Sequence, residues 1–178
     1  MTSEVDDIQR VSITSGDHSA YLQYALSLAE RSPPKPTNYR VGAVLVNPAN
    51  NSIVSTGYTL ELPGNTHAEQ CCFIKLAEKY GVTEEELNSV VKTPLVLYTT
   101  MEPCSTRLSG NLPCAKRILQ LQPLIKAVYV GVQEPKEFVR DNTGRGALER
   151  AGIDFVHIKG LEGEILKAAT AGHIKSPS

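Results

Sequence analysis

The sequence predicts an α/β fold: a three-layer α/β/α sandwich around a mixed five-stranded sheet. Two observations carry that expectation. The stretches "VGAVLV", "LVLY" and "AVYVGV" are apolar on both faces, and strands of that kind are covered by helices on both sides. Between residues 126 and 158, strand, helix and strand follow one another, which implies a right-handed parallel crossover.

Residues 1–16 read as a flexible segment, 17–174 as one domain, and 175–178 as a disordered tail. "DHSAYLQYALSLAERS" sets Tyr21, Ala25, Leu28 and Ala29 at helical spacing, predicting a helix over 17–31. "PPKPTN" breaks it. "YRVGAVLVN" and "SIVSTGY" are β-branched runs joined by the turn-rich "PANN", a hairpin pattern. "THAEQCCFIKLAEKY" reads as a helix, with Ala68, Cys72, Leu76 and Tyr80 on one face. "GVTEEELNSVVKT" holds a short helix or loop, and "PLVLYTT" a strand. A helix is expected from about Pro113 through "AKRILQL". "IKAVYVGV" is a strand, "TGRGALERAG" a Gly-bounded helix and "IDFVHI" a last strand. "EGEILKAATAGHI" completes the pattern as a final helix.

The 178 residues and 41% apolar content suit one packed domain. A net charge of −1 removes the broad electrostatic case for a nucleic-acid partner. The opening "MTSEVDDIQR" does not read as a signal or transit peptide. No apolar run approaches the ~20 residues of a membrane span. The expected compartment is therefore the reducing cytoplasm, where four cysteines read as thiols or metal ligands rather than disulfides.

His67, Cys104 and Cys114 match the donor set of a catalytic zinc site, in which water takes the fourth position. Each lies at or near an expected helix start, where unpaired N–H groups favour thiolates. Water activation also needs a proton carrier that is not a ligand, and Glu69 is the candidate. On an ideal helix His67 and Glu69 stand about 200° apart, so both face one metal only if it lies beyond the helix end. With Thr66 as N-cap and His67 as first helical residue, that is met. A purely structural alternative exists: Thr66-His67-Ala68-Glu69 is also a capping box. Cys71 and Cys72 continue the helix and read as core. His18, His157 and His173 lack a motif, and capping or surface roles suffice for them.

His-Ala-Glu, then Pro-Cys, then a second Pro-Cys follows the H-x-E…P-C-x-x-C order of zinc-dependent nucleobase deaminases. The chain resembles the cytidine-deaminase-like superfamily from about Asp17 to Phe155, and within it the deaminases of riboflavin biosynthesis. The resemblance rests on "TNYRVGAVLV", "THAEQ", "MEPCS…LPC" and "VQEPKEFVRDNTGRGALERAGIDF". Nine residues separate Cys104 from Cys114; most of the superfamily has two there, and the riboflavin branch a longer insert. "GYTLELPGNTHAEQC" is most similar to the fungal form. The resemblance implies a cytidine-deaminase-like fold and one Zn²⁺ per chain. It implies hydrolytic deamination of 2,5-diamino-6-ribitylamino-4(3H)-pyrimidinone 5′-phosphate, with Glu69 moving the protons. Substrate contacts would come from Asn38, Ala68, Ser105 and Thr106; for the phosphate, the acid-free insert offers Arg107 and "TGRG" offers Arg145, with a solvated loop role as the structural alternative for each. The expected partner is thus a small phosphorylated pyrimidine, with no nucleic acid and no membrane; a homodimer is compatible with the family. The bacterial form acts on the unreduced ribosyl compound, often with a fused reductase, and no reductase is expected here. Leu112 replaces a family Pro, Thr59 a family His, and Thr106 and Arg107 stand where the bacterial insert has a His and a basic residue. Two rivals remain. A tRNA or nucleoside deaminase predicts C-x-x-C, and a structural zinc module predicts a fourth protein ligand.

Overall fold

The computed structural model describes residues 11–133 and 143–175. Most of the expected flexible segment, the last three tail residues and "EPKEFVRDN" lie outside the described residues. Where the segment is described, it is tied down: Asn51 Nδ2 donates to the Ile13 carbonyl at 2.7 Å, and Ile13 packs against the core.

Helix α1 (His18–Ala29) starts where the Asp17 side chain accepts the Ala20 N–H at 3.0 Å; an Asp N-cap satisfies one of the unpaired donors there. Strands β1 (Gly42–Asn47) and β2 (Ser52–Tyr58) form the expected hairpin. Helix α2 (Ala68–Tyr80) ends at Gly81, whose φ of 67° suits a left-handed C-terminal residue. A 3₁₀ turn (Glu84–Glu86) and the short α3 (Leu87–Val90) lead into β3 (Leu95–Met101). Then come α4 (Cys114–Gln120), β4 (Ile125–Val132), α5 (Thr143–Arg150), β5 (Asp154–His157) and α6 (Glu162–Ala169).

The strands form one sheet in the order β2-β1-β3-β4-β5. β1 is antiparallel to β2 and β3, while β3, β4 and β5 run parallel. The sheet is mixed and five-stranded, as the sequence implied. Two apolar clusters sandwich it. Ala43, Leu45, Leu97, Val128 and Val130 meet Cys72, Phe73, Leu76 and Ile118 on one side. Val44, Val46, Val96, Tyr98 and Ala127 meet Tyr21, Leu22 and Ile165 on the other. Alternate residues of each strand supply alternate faces, which is why these strands read as unbroken apolar runs.

The first and last helices end earlier than expected. α1 stops at Ala29 because Arg31 and Ser32 N–H bond to Leu28 and Ala29 carbonyls in tightening turns. The last helix stops at Ala169, not at residue 174: Thr170 Oγ1 donates to the Leu166 carbonyl at 2.7 Å, and a turn closes from His173 N–H to the Thr170 carbonyl. That turn carries His173 toward the site described next.

One close contact positions the site. A Cβ on Gly57 would lie 2.2 Å from the Ala68 carbonyl oxygen, so only glycine lets β2 approach the start of α2 this closely. Among the described residues no helix is long and apolar enough to cross a membrane.

Candidate active site and metal centre

His67, Cys104 and Cys114 come together although they lie on three different segments. His67 is the N-cap of α2, Cys104 follows β3, and Cys114 opens α4. His67 Nδ1 is 3.5 Å from Cys104 Sγ and 3.6 Å from Cys114 Sγ. All three donor atoms lie within 4.8 Å of one another. Zn–S of about 2.3 Å and Zn–N of about 2.0–2.1 Å at tetrahedral angles place N and S about 3.6 Å apart. The donor set and its spacing therefore fit zinc.

The two thiols differ. Cys104 is held down to about 4 by a hydrogen bond from the Cys114 thiol, helped by His67 and the Cys114 N–H; that N–H donates to Cys104 Sγ at 3.3 Å. Cys114 is pushed up by its bond to the Cys104 sulfur and by burial. The pair thus shares one proton at neutral pH, and a divalent cation is what allows both to be thiolates. Cys104 itself is not at a helix start, contrary to expectation; its sulfur receives the N–H of the helix that begins at Cys114.

Glu69 is 3% exposed. The N-cap lies one residue later than expected: His67, with φ −93° and ψ 159°, is still extended. Its N–H donates to Gln70 Oε1 at 3.3 Å, so Gln70, not Glu69, closes the capping box. Thr66 instead donates its hydroxyl to the Leu62 carbonyl at 2.9 Å. This overturns the capping alternative for Glu69 and leaves its carboxyl at the metal side of the helix end. Thr99 Oγ1 lies 3.1 Å from Glu69 Oε1 and 2.9 Å from the Met101 carbonyl. Its single proton serves one acceptor at a time. Burial, chiefly, pushes the Glu69 carboxyl above its ordinary range, with the Cys104 charge adding to it.

His67, Glu69 and Cys104 line a cavity of about 720 Å³ at the carboxyl end of β3, where open α/β sheets bind ligands. Asn38, Thr106 and Arg107 line it too. Ala68 and Ser105 are buried beside it but do not line it, and the Ser105 Oγ is buried without a hydrogen-bond partner. Arg145 is not brought to this cavity. It pairs with Glu149 on α5 at 3.2 Å and lies over the Phe155 ring.

Arg107 Nη1 donates to Gln70 Oε1 at 3.0 Å and Nη2 to the Asn65 carbonyl. Its Nε is buried without a partner. Cys71 and Cys72 are fully buried outside the ligand group, with Cys72 Sγ 3.5 Å from the Ala43 carbonyl. No fourth His, Cys, Asp or Glu joins the group among the described residues. His18 stacks on Tyr129 and bonds Tyr98 at 2.8 Å, and His157 bonds the Gly131 carbonyl at 2.9 Å.

Among the cavity residues that sequence reasoning missed are Glu102, Asn65 and His173. Glu102 lies inside the quoted "MEPCS" motif, so a signal for it existed. Asn65 and His173 reach the wall through loop paths that no local pattern encodes.

The family model for the cytidine and deoxycytidylate deaminase zinc-binding region matches residues 15–132. A Schizosaccharomyces pombe protein named diaminohydroxyphosphoribosylamino-pyrimidine deaminase is 36% identical over 157 residues, 88% of this chain. The chain spans 36% of that relative's length. The crystal structure of Aspergillus oryzae Rib2 deaminase, a C-terminal deletion mutant at pH 4.6, superposes with a TM-score of 0.81 at 49% identity, covering 88% of this chain and 92% of that one. The same deaminase in complex with DARIPP aligns at 48% identity and a TM-score of 0.79, over 88% and 91% of the two chains.

Proposed function

The chain belongs to the cytidine and deoxycytidylate deaminase family, and on that premise we propose that it deaminates 2,5-diamino-6-ribitylamino-4(3H)-pyrimidinone 5′-phosphate to 5-amino-6-ribitylamino-uracil 5′-phosphate and ammonia, in riboflavin biosynthesis. One observation carries the reading: two members of a His/Cys/Cys group with zinc spacing, His67 and Cys104, share the wall of one small-molecule cavity with the buried Glu69. Its volume of about 720 Å³ lies within the range of ligand pockets. The relatives point to the same substrate class, being named pyrimidine deaminase in one case and bound to DARIPP in another.

His67, Cys104 and Cys114 would hold the zinc, which when bound would supply Lewis acidity and lower the pKa of a water toward neutral pH. Glu69 carries the water's two protons in turn, the first to the ring nitrogen and the second to the departing amine. Its raised proton affinity suits a group that must hold the proton between those transfers. Thr99 steadies the carboxyl in both states, its hydroxyl proton turning to Glu69 when that group is ionised and to the Met101 carbonyl when it is not. The water oxygen ends on the ring carbon as a carbonyl, and the amino group leaves as ammonia. Arg107 on the cavity wall anchors the phosphate. The proposal takes 17–174 as the catalytic domain, one zinc per chain and the cytoplasm as its compartment.

Ammonia release from the ribityl phosphate pyrimidine, its ribosyl analogue, cytidine and an adenine-containing RNA hairpin tests this. Preferred turnover of the ribityl compound is expected. Preference for the ribosyl compound means the bacterial type of activity. No release from any, with zinc bound by four protein ligands, means a structural zinc module.

A further inference from the structure

The family match ends at Val132, but the cavity does not. His173 and Ile174, beyond the last helix, form part of its wall. The chain reaches that wall along a tight path. The Ala169 carbonyl accepts the Arg40 backbone N–H at 3.0 Å. The Arg40 guanidinium donates to the Ser32, Glu30 and Ala168 carbonyls. Gly172 then passes so close to the preceding loop that a Cβ there would lie 2.2 Å from the Lys35 nitrogen. His173 follows, with Nε2 3.0 Å from the Asn38 carbonyl oxygen and its ring edge-on to Tyr39, centroids 4.7 Å apart. A carbonyl only accepts, so Nε2 carries a proton and donates it.

Beyond Asn38 the bonds continue around the cavity. Asn38 Nδ2 donates to Asn65 Oδ1 at 3.0 Å. The Asn65 carbonyl accepts from Arg107, and Arg107 donates to Gln70 Oε1, which also takes the His67 N–H. His173 is the far end of a hydrogen-bonded rim that runs from the C-terminal segment to a metal ligand. The fastening of that segment is already done by Arg40 and by the Gly172 contact. The His173 bond therefore acts on the loop more than on the tail.

We propose that residues 170–174 are a specificity element of the active site, with His173 a positioning residue that holds the Asn38 carbonyl and so sets the 36–39 wall against which the substrate's phosphorylated chain lies. This rests on the functional reading above and extends it to a segment outside the region matched by the family. Ile174, 84% exposed on the same wall, extends the apolar side of the entrance.

The test compares His173→Ala and His173→Gln with the unsubstituted protein. Steady-state ammonia release, zinc content and amide hydrogen exchange of residues 36–39 are measured. A Gln side-chain N–H can occupy the place of Nε2–H. His173→Ala should raise KM roughly three- to tenfold, the worth of one ordinary hydrogen bond, with kcat within about twofold and zinc unchanged. Exchange of residues 36–39 should speed up. His173→Gln should restore both. Unchanged KM and unchanged exchange in His173→Ala would overturn the proposal. A KM rise that Gln fails to restore would also overturn it, because the ring would then be contacting substrate directly. If the unsubstituted protein released no ammonia, the functional reading would fall, and the exchange arm would still decide whether His173 holds the wall.

Discussion

Arg107→Ala separates phosphate recognition from loop support. Two of the five guanidinium N–H donors are spent on neutral acceptors, Gln70 Oε1 and the Asn65 carbonyl. The Nε–H is buried with no partner, and no carboxylate is paired with Arg107 among the described ion pairs. A cation on a cavity wall with unused donors is suited to an anion. Hydrogen bonds to a charged group contribute about 1.5–3 kcal/mol. At about 1.4 kcal/mol per decade that is roughly a 10- to 150-fold loss in affinity. Truncation also deletes the two loop bonds, but that cost falls equally on phosphorylated and dephosphorylated ligands. The phosphate-specific part is the ratio of the two losses, the logic of a double-mutant cycle. The assay is calorimetric binding of the pyrimidine product with and without its phosphate. The phosphorylated form should weaken by that factor while its dephosphorylated counterpart changes far less. Equal losses would show that Arg107 only holds the insert against α2.

Cys104→Ala and Cys114→Ala should each lose zinc on dialysis, whereas Cys71→Ala and Cys72→Ala should keep it, and elemental analysis reads the difference. The Cys72 change should still lower stability by about 1 kcal/mol, as a fully buried core position, visible as a shifted denaturation midpoint. Zinc uptake at neutral pH should release roughly one proton from the thiol pair. Cys104, held at about 4, is already ionised there, and only the raised Cys114 has a proton to give. Affinity should accordingly fall as pH drops, and calorimetry in buffers of different ionisation enthalpy counts the protons.

The ligand set was legible because it sits in short motifs, His-Ala-Glu and two Pro-Cys pairs, each at or beside an element end. The sheet was legible because Ala43 to Val46 and Leu95 to Tyr98 alternate between two buried faces. The cap was misplaced by one residue because Thr66 looks like the better N-cap; the chain stays extended through His67, and Gln70 supplies the partner. Arg145, expected among the phosphate contacts, instead pairs with Glu149 one turn on within α5. His173 was passed over because its role depends on where the last helix stops. Around that stop Gly172 packs on Lys35 and the Ala169 carbonyl takes the Arg40 N–H, contacts with a segment far earlier in the chain and beyond the reach of local periodicity.

The central claim is that Glu69 carries protons at a zinc centre rather than capping a helix. Ammonia release by zinc-loaded Glu69→Gln protein tests it most directly. The amide keeps the volume, and the helix cap belongs to His67 and Gln70, so fold and zinc content should be unchanged. General acid–base groups contribute roughly 10²–10⁴-fold, and one group serves every transfer here, so turnover should fall toward or beyond the top of that range. A folded, zinc-loaded Glu69→Gln protein that turns over the ribityl phosphate pyrimidine at a near-normal rate would contradict the account.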